Sequence, residues 1–185
     1  MAILFQCNHF LMMSNFQDRV NFVELWIIRS IEFYEVAKIS WLYKAFPVDL
    51  SLSRDLLGPG AIHPFYRPSS LLMGLAIETL LKAIIISKEK IEQEQIPNNI
   101  GNHTLSELAL QAGIVLTDKE RLLCESLTNA VVWTSKYPAP KKASALSGVN
   151  LARNNNEFIE FDEFYEKLVI HLGKDKFSAV KKHYL

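Results

Sequence analysis

The run from Leu71 to Ser87 constrains the fold more than any other stretch of this chain. Glu78 and Lys82 are its only charged residues, and apolar side chains occupy nearly every side of a helix drawn through it. The run is too long for a strand. It is also too short and too charged for the roughly 20 apolar residues of a membrane-spanning helix. A helix apolar all round is stable only when several neighbours pack against it. The stretch therefore predicts a central helix from Leu71 to about Lys90, with Ser69 and Ser70 placed to cap it, and the rest of the chain must supply its neighbours.

Those neighbours read as helices too. Ser14 stands three residues before Gln17, the capping-box spacing in which each side chain reaches the other residue's backbone N–H. From there to about Phe46, apolar residues recur at three- and four-residue intervals, and Pro47 ends the pattern by removing a donor and restricting its predecessor. Residues 47–68 hold four of the seven prolines and Gly58-Pro59-Gly60, so they read as a long Pro-rich loop after the first long helix. A polar loop follows at Gln95 to Gly101. Thr104…Glu107 and Thr117…Glu120 repeat the capping-box spacing, opening a short helix that ends at Gly113 and a longer one reaching about Lys136. Tyr137 to Asn156 reads as loop, and two last helices, Glu157 to Leu172 and about Asp175 to His183, are parted by Gly173. No convincing alternating strand appears, so the fold class is all-α. Residues 1–13, apolar but aperiodic, form an N-terminal arm, and 14–185 form a single domain.

Twenty Lys and Arg balance twenty Asp and Glu. A formal charge of zero argues against a surface coated with phosphate-binding groups, because non-specific nucleic-acid affinity comes from excess cations. The zero is a sum of opposites: 126–156 contains no acid, while Glu157, Glu160, Asp162, Glu163 and Glu166 crowd the helix that follows. Cys7 and Cys124 are isolated thiols that fit a reducing compartment, and Cys124 falls within an apolar helical pattern as core filler. The opening residues lack the basic region and small-residue cleavage site of a signal peptide. These features read as a cytoplasmic protein with no membrane span.

Few residues offer chemistry. There is no nucleophile elbow, phosphate-cradling glycine loop or His-Glu-x-x-His helix, and the five scattered histidines suggest no metal site and no cofactor. Glu78 and Lys82, four residues apart, meet on one face of the central helix, either on a strip reaching solvent or as a polar pair facing a cleft or interface. His103 directly precedes the Thr104 cap, where it either packs locally or stands near helix-start N–H groups that an anion could also use. Trp133, Lys136, Tyr137, Lys141 and Lys142 lie at the entry to the acid-free stretch. Cations and aromatic faces there suit phosphates and bases, although a solvated loop would carry the same residues.

Three segments in this order, Leu75-Ala-Ile-Glu-Thr-Leu-Leu-Lys-Ala83, His103-Thr-Leu-Ser-Glu-Leu108 and Trp133-Thr-Ser-Lys-Tyr-Pro-Ala-Pro140, resemble the HEPN-domain proteins of prokaryotes. That family shows a comparable apolar helix with Glu and Lys, a Gly-His-Asp-Leu-like helix start and an Arg-Tyr-Pro-like helix end. Here Asn102 stands for the Gly, Thr104 for the Asp and Lys136 for the Arg. The resemblance spans roughly residues 15–172 in element order and implies an antiparallel helical bundle, often a homodimer. Many members are metal-independent ribonucleases, frequently toxins paired with a nucleotidyltransferase-like antitoxin, and their site is an Arg followed after four to six residues by a His. No arginine of this chain has a His at that spacing. The nearest substitute is Lys176 with His183, and Lys lacks the planar fork of Arg. The expectation is a non-catalytic HEPN-like module that binds RNA, a nucleotide or a protein partner. The alternatives are a ribonuclease with a degenerate site and a protein that serves dimerisation alone.

Overall fold

The computed structural model describes residues 15–43, 66–92, 95–134 and 157–184. Their regular structure is helical: α1 (Phe16–Asn21), α2 (Val23–Tyr43), α3 (Tyr66–Lys88), α4 (Asn98–Gly101), α5 (Leu105–Gln111), α6 (Asp118–Asn129), a π-helical turn (Ala130–Thr134), α7 (Glu157–Leu172) and α8 (Lys174–Tyr184). No strand occurs among the described residues.

Helix α3 is the hub, packed by α2, α5, α6, α7 and the π turn. Met73, Ala76, Ile77, Leu80, Leu81 and Ile84 have almost no solvent exposure. By length and composition α3 could cross a membrane, but 83% of its most apolar window is buried by the other helices. It begins earlier than the sequence suggests. Pro68 sits in its first turn, where a missing N–H costs no bond, and Ser69 and Ser70 are buried inside the helix, so they do not cap it. Residues 66–68 of the expected loop are thus helical; the remainder of that loop, the arm 1–13 and the stretch 137–156 lie outside the described residues.

The first long helix is also divided. Phe22 takes an extended conformation between α1 and α2, and the Trp26 indole donates to the Val20 carbonyl at 2.9 Å, satisfying a group that the break would strand. The cap of α1 is Asn15, whose Oδ1 accepts from the Asp18 N–H at 2.7 Å, in place of the Ser14–Gln17 box. Gln17 instead donates to the Glu92 carbonyl. Asn21 and Ile91 exchange two hydrogen bonds, 2.7 and 2.8 Å, which tie the chain after α3 to the end of α1.

Close approach fixes the other side of α3. A Cβ on Gly74 would lie 2.5 Å from Val131 Cγ2 and 3.0 Å from the Leu127 carbonyl, so only glycine lets α3 meet α6 and the π turn this closely. Ser30 joins α2 to two neighbours, donating to the Ala76 carbonyl at 2.8 Å and lying 2.9 Å from the Tyr165 hydroxyl. Tyr34 stacks on Tyr165 with ring centroids 4.5 Å apart and donates to Asp162. Burial, with the Asp162 carboxylate for Tyr34, pushes both phenols well above the usual tyrosine range. Cys124 is fully buried and its thiol is pushed up to about 12, consistent with a packing role.

Helix ends follow local chemistry. Gly113, at φ 75°, lets the Ile114 N–H turn back to the Ala109 carbonyl at 2.8 Å and so close α5. Gly173, at φ 108°, separates α7 from α8 at the expected place. Thr117 and Glu120 form a complete capping box for α6. Helix α6 passes at Ala130 into the π turn, so the chain stays helical to Thr134, residues 135–136 of the expected helix lie outside the described residues, and the polar loop after α3 contains the single turn α4.

Candidate functional site

The candidate site begins with a charge pair where charge is expensive. Glu78 and Lys82 lie one turn apart on the hub helix, with side chains only 6% and 7% exposed. Lys82 Nζ donates to Glu78 Oε1 at 2.7 Å. The pair therefore does not lie on a solvent-facing strip; it is enclosed in the bundle. Two ions leave water at a cost of several kcal/mol each, in order of magnitude, and direct pairing is what makes such burial tolerable.

The same carboxylate reaches outward to His103. Nδ1 of the ring stands 3.0 and 3.1 Å from the two Glu78 oxygens, while the imidazole is 56% exposed. An ionised carboxylate only accepts hydrogen bonds, so Nδ1 carries the proton. That leaves Nε2 as the atom available to a ligand. Lys82, Glu78 and His103 thus form a chain running from the buried interior to the surface.

Local structure holds the ring in place. Asn102 Oδ1 accepts from the Thr104 N–H at 2.9 Å, and its amide also donates to the Glu107 carboxylate, so Asn102 braces the turn into α5. Thr104 occupies the cap position without making a side-chain cap. Thr128, from α6, takes over by accepting from the Leu105 N–H at 3.0 Å. The expected Thr104–Glu107 box is therefore replaced by a cap supplied from a second helix. Sequence reasoning missed Asn102 and Thr128; the Asn one residue before the His is the only local signal for either.

Trp133 falls in the π turn, and Lys136, Tyr137, Lys141 and Lys142 lie outside the described residues. Lys176 and His183 are exposed on α8, which packs against α2 and α7, whereas α5 packs against α3 and α6. Seven residues apart on one helix, they are separated by about 10 Å of helical rise. Among the described residues no three His, Cys, Asp or Glu side chains gather as metal ligands.

Two further lysines make structural contacts. Lys88 donates to the Ala112 carbonyl at 2.7 Å at the end of α5. Lys167 donates to the Val115 carbonyl and to both oxygens of Glu120 at 2.8–2.9 Å. Burial alone would raise the Glu120 carboxyl, but bonds from Lys167 and from the Thr117 backbone outweigh it and hold the group below its ordinary value.

Comparison of the chain with family models, curated proteins and solved structures gives no match.

Proposed function

We propose that this chain is a HEPN-like, non-catalytic helical module that binds the phosphate of an RNA or nucleotide at the face where His103 stands. One observation carries the reading: an exposed imidazole is oriented by a buried Glu78–Lys82 pair, with Nε2 directed away from its anchor. A phosphate oxygen only accepts hydrogen bonds, so the contact places a proton on Nε2 as well as on Nδ1, and Lys82 neutralises the carboxylate beneath the resulting imidazolium. Its Glu78–Lys82–His103 arrangement falls within two of the segments that carry the HEPN resemblance.

Binding without cleavage is favoured because catalysis of RNA transfer needs an acid–base group together with a cation that stabilises the phosphate charge. Lys176 holds the cation position ahead of His183 on α8, and a lysine lacks the planar bidentate fork with which an arginine would hold that charge.

The test uses short single-stranded RNA in metal-free buffer. His103→Ala is expected to weaken binding about tenfold or more, since a hydrogen bond to a charged group contributes about 1.5–3 kcal/mol. The RNA should be recovered intact. Unchanged affinity in this variant would remove the site from consideration. RNA cut by the wild type but spared by His183→Ala would favour the ribonuclease reading instead.

A further inference from the structure

His103 and His171 use their ring nitrogens in opposite ways. Nε2 of His171 lies 3.3 Å from Lys88 Nζ, and an ammonium only donates, so the lone pair on that atom is already used. In His103 it is Nδ1 that is committed, at 3.0 and 3.1 Å from the two Glu78 oxygens. A neutral imidazole holds its proton on one nitrogen and a lone pair on the other. With the proton fixed on Nδ1, the lone pair of the free protein stands on Nε2, in a ring that solvent reaches. An imidazole in this state is a nucleophile as well as a contact for anions. An attacking ring gains positive charge, and the Glu78 carboxylate lies against the nitrogen that shares it. Lys82, 2.7 Å from Glu78, balances the carboxylate inside the bundle. Glu107, exposed in the turn after His103, is engaged by Asn102.

We infer that His103 Nε2 accepts a phosphoryl group from a small activated donor, an acyl phosphate or a phosphoramidate, and that this modification closes the site to RNA. The Nε2 lone pair forms the new bond to phosphorus while the bond from phosphorus to the leaving group breaks. A carboxylate departs from an acyl phosphate with the electron pair, and neutral ammonia departs from the N-protonated form of a phosphoramidate. The ring keeps its Nδ1 proton, which Glu78 continues to accept as a hydrogen bond. Glu78 is thus a positioning residue: it selects the nitrogen that reacts and faces the charge that the ring gains. The nucleophile follows from the geometry alone. The choice of phosphorus as the electrophile rests on the function proposed above, because the same face is the one that admits phosphate. The product carries a phosphoryl dianion where an RNA phosphate would lie, so like-charge repulsion makes modification and RNA binding mutually exclusive.

The test incubates the full chain with potassium phosphoramidate, and separately with acetyl phosphate, in metal-free buffer. Mass spectrometry of peptides kept at alkaline pH locates the modified residue, and phosphorus NMR identifies the nitrogen. His103 should be modified at Nε2, about tenfold faster than His171 or more, since the competing lone pair is held by a charged donor. Glu78→Leu combined with Lys82→Met removes the anchor without leaving a buried charge. In that variant, with circular dichroism unchanged, His103 should react about tenfold more slowly and give the Nδ1 isomer beside the Nε2 isomer. A merely structural role for Glu78 would leave the isomer ratio where it was. The modified wild type should bind single-stranded RNA about tenfold more weakly or worse. A His103 that stays unmodified with both donors, or reacts no faster than His171, or gives mixed isomers in the wild type, overturns the inference. If such a protein still binds RNA, the proposed function stands without it. Modification at His103 in a protein that never binds RNA overturns the proposed function and keeps the acceptor. Modification that leaves RNA affinity unchanged overturns the claim that it closes the site.

Discussion

Glu78 is the residue on which the candidate site turns, because a carboxylate in the hub helix must be balanced by something. Lys82 supplies the charge, and His103 takes the remaining hydrogen-bonding capacity outward. Lys82→Met leaves the buried carboxylate without its countercharge and with only the His103 hydrogen bond, so it should cost about 3 kcal/mol of unfolding free energy. Glu78→Leu combined with Lys82→Met removes both charges and should recover most of that loss in chemical denaturation. The double variant would still lack the anchor for His103, separating stability from binding. A second carboxylate gives a pH dependence. Glu120 has a folded pKa below its unfolded value, so its contribution is present above the ordinary glutamate range and is lost as pH falls through the lower, folded value. Glu120→Gln should therefore flatten the acid limb of the stability profile, measured by urea unfolding at successive pH values. The charge on Glu78 was legible in the sequence because it interrupts an apolar run. Its contact with His103 was not, since 25 residues separate them and no local spacing rule reaches that far.

Two segments with the same capping-box spacing behave differently at the scale of the element. Thr117 and Glu120 close their box although Lys167 also bonds both Glu120 oxygens, because a carboxylate accepts several hydrogen bonds at once. Glu107 is instead engaged by Asn102, and the Leu105 N–H finds Thr128 on α6, so the Thr104 hydroxyl makes no cap. Thr117→Ala should cost about 1 kcal/mol, whereas Thr104→Ala should cost clearly less; thermal unfolding of the pair checks the difference. Tertiary competition also explains the boundaries that sequence pattern displaced. Helical periodicity runs through Phe22, yet the helix breaks there and Trp26 satisfies the freed Val20 carbonyl. Ser69 and Ser70 look like caps in isolation, but Pro68 is accepted in the first turn of α3 and carries the helix past them. The glycines at 113 and 173 were readable because a left-handed residue after a helix is a local requirement that glycine meets.

Across the whole molecule, the all-helical architecture was legible because the apolar run of α3 is too long for a strand and demands neighbours on every side. The described helices meet that demand, enclosing the hub and leaving His103 as the exposed end of a polar chain that starts inside it. With no net charge to draw anions from a distance, recognition would rest on such a local contact. The most direct test is nitrogen-detected NMR of the His103 imidazole while single-stranded RNA is titrated in. The site as described predicts a proton on Nδ1 in the free protein and a ligand-dependent change at Nε2 as RNA binds. A free ring carrying its proton on Nε2 alone, or an Nε2 signal unmoved at saturating RNA, would contradict it.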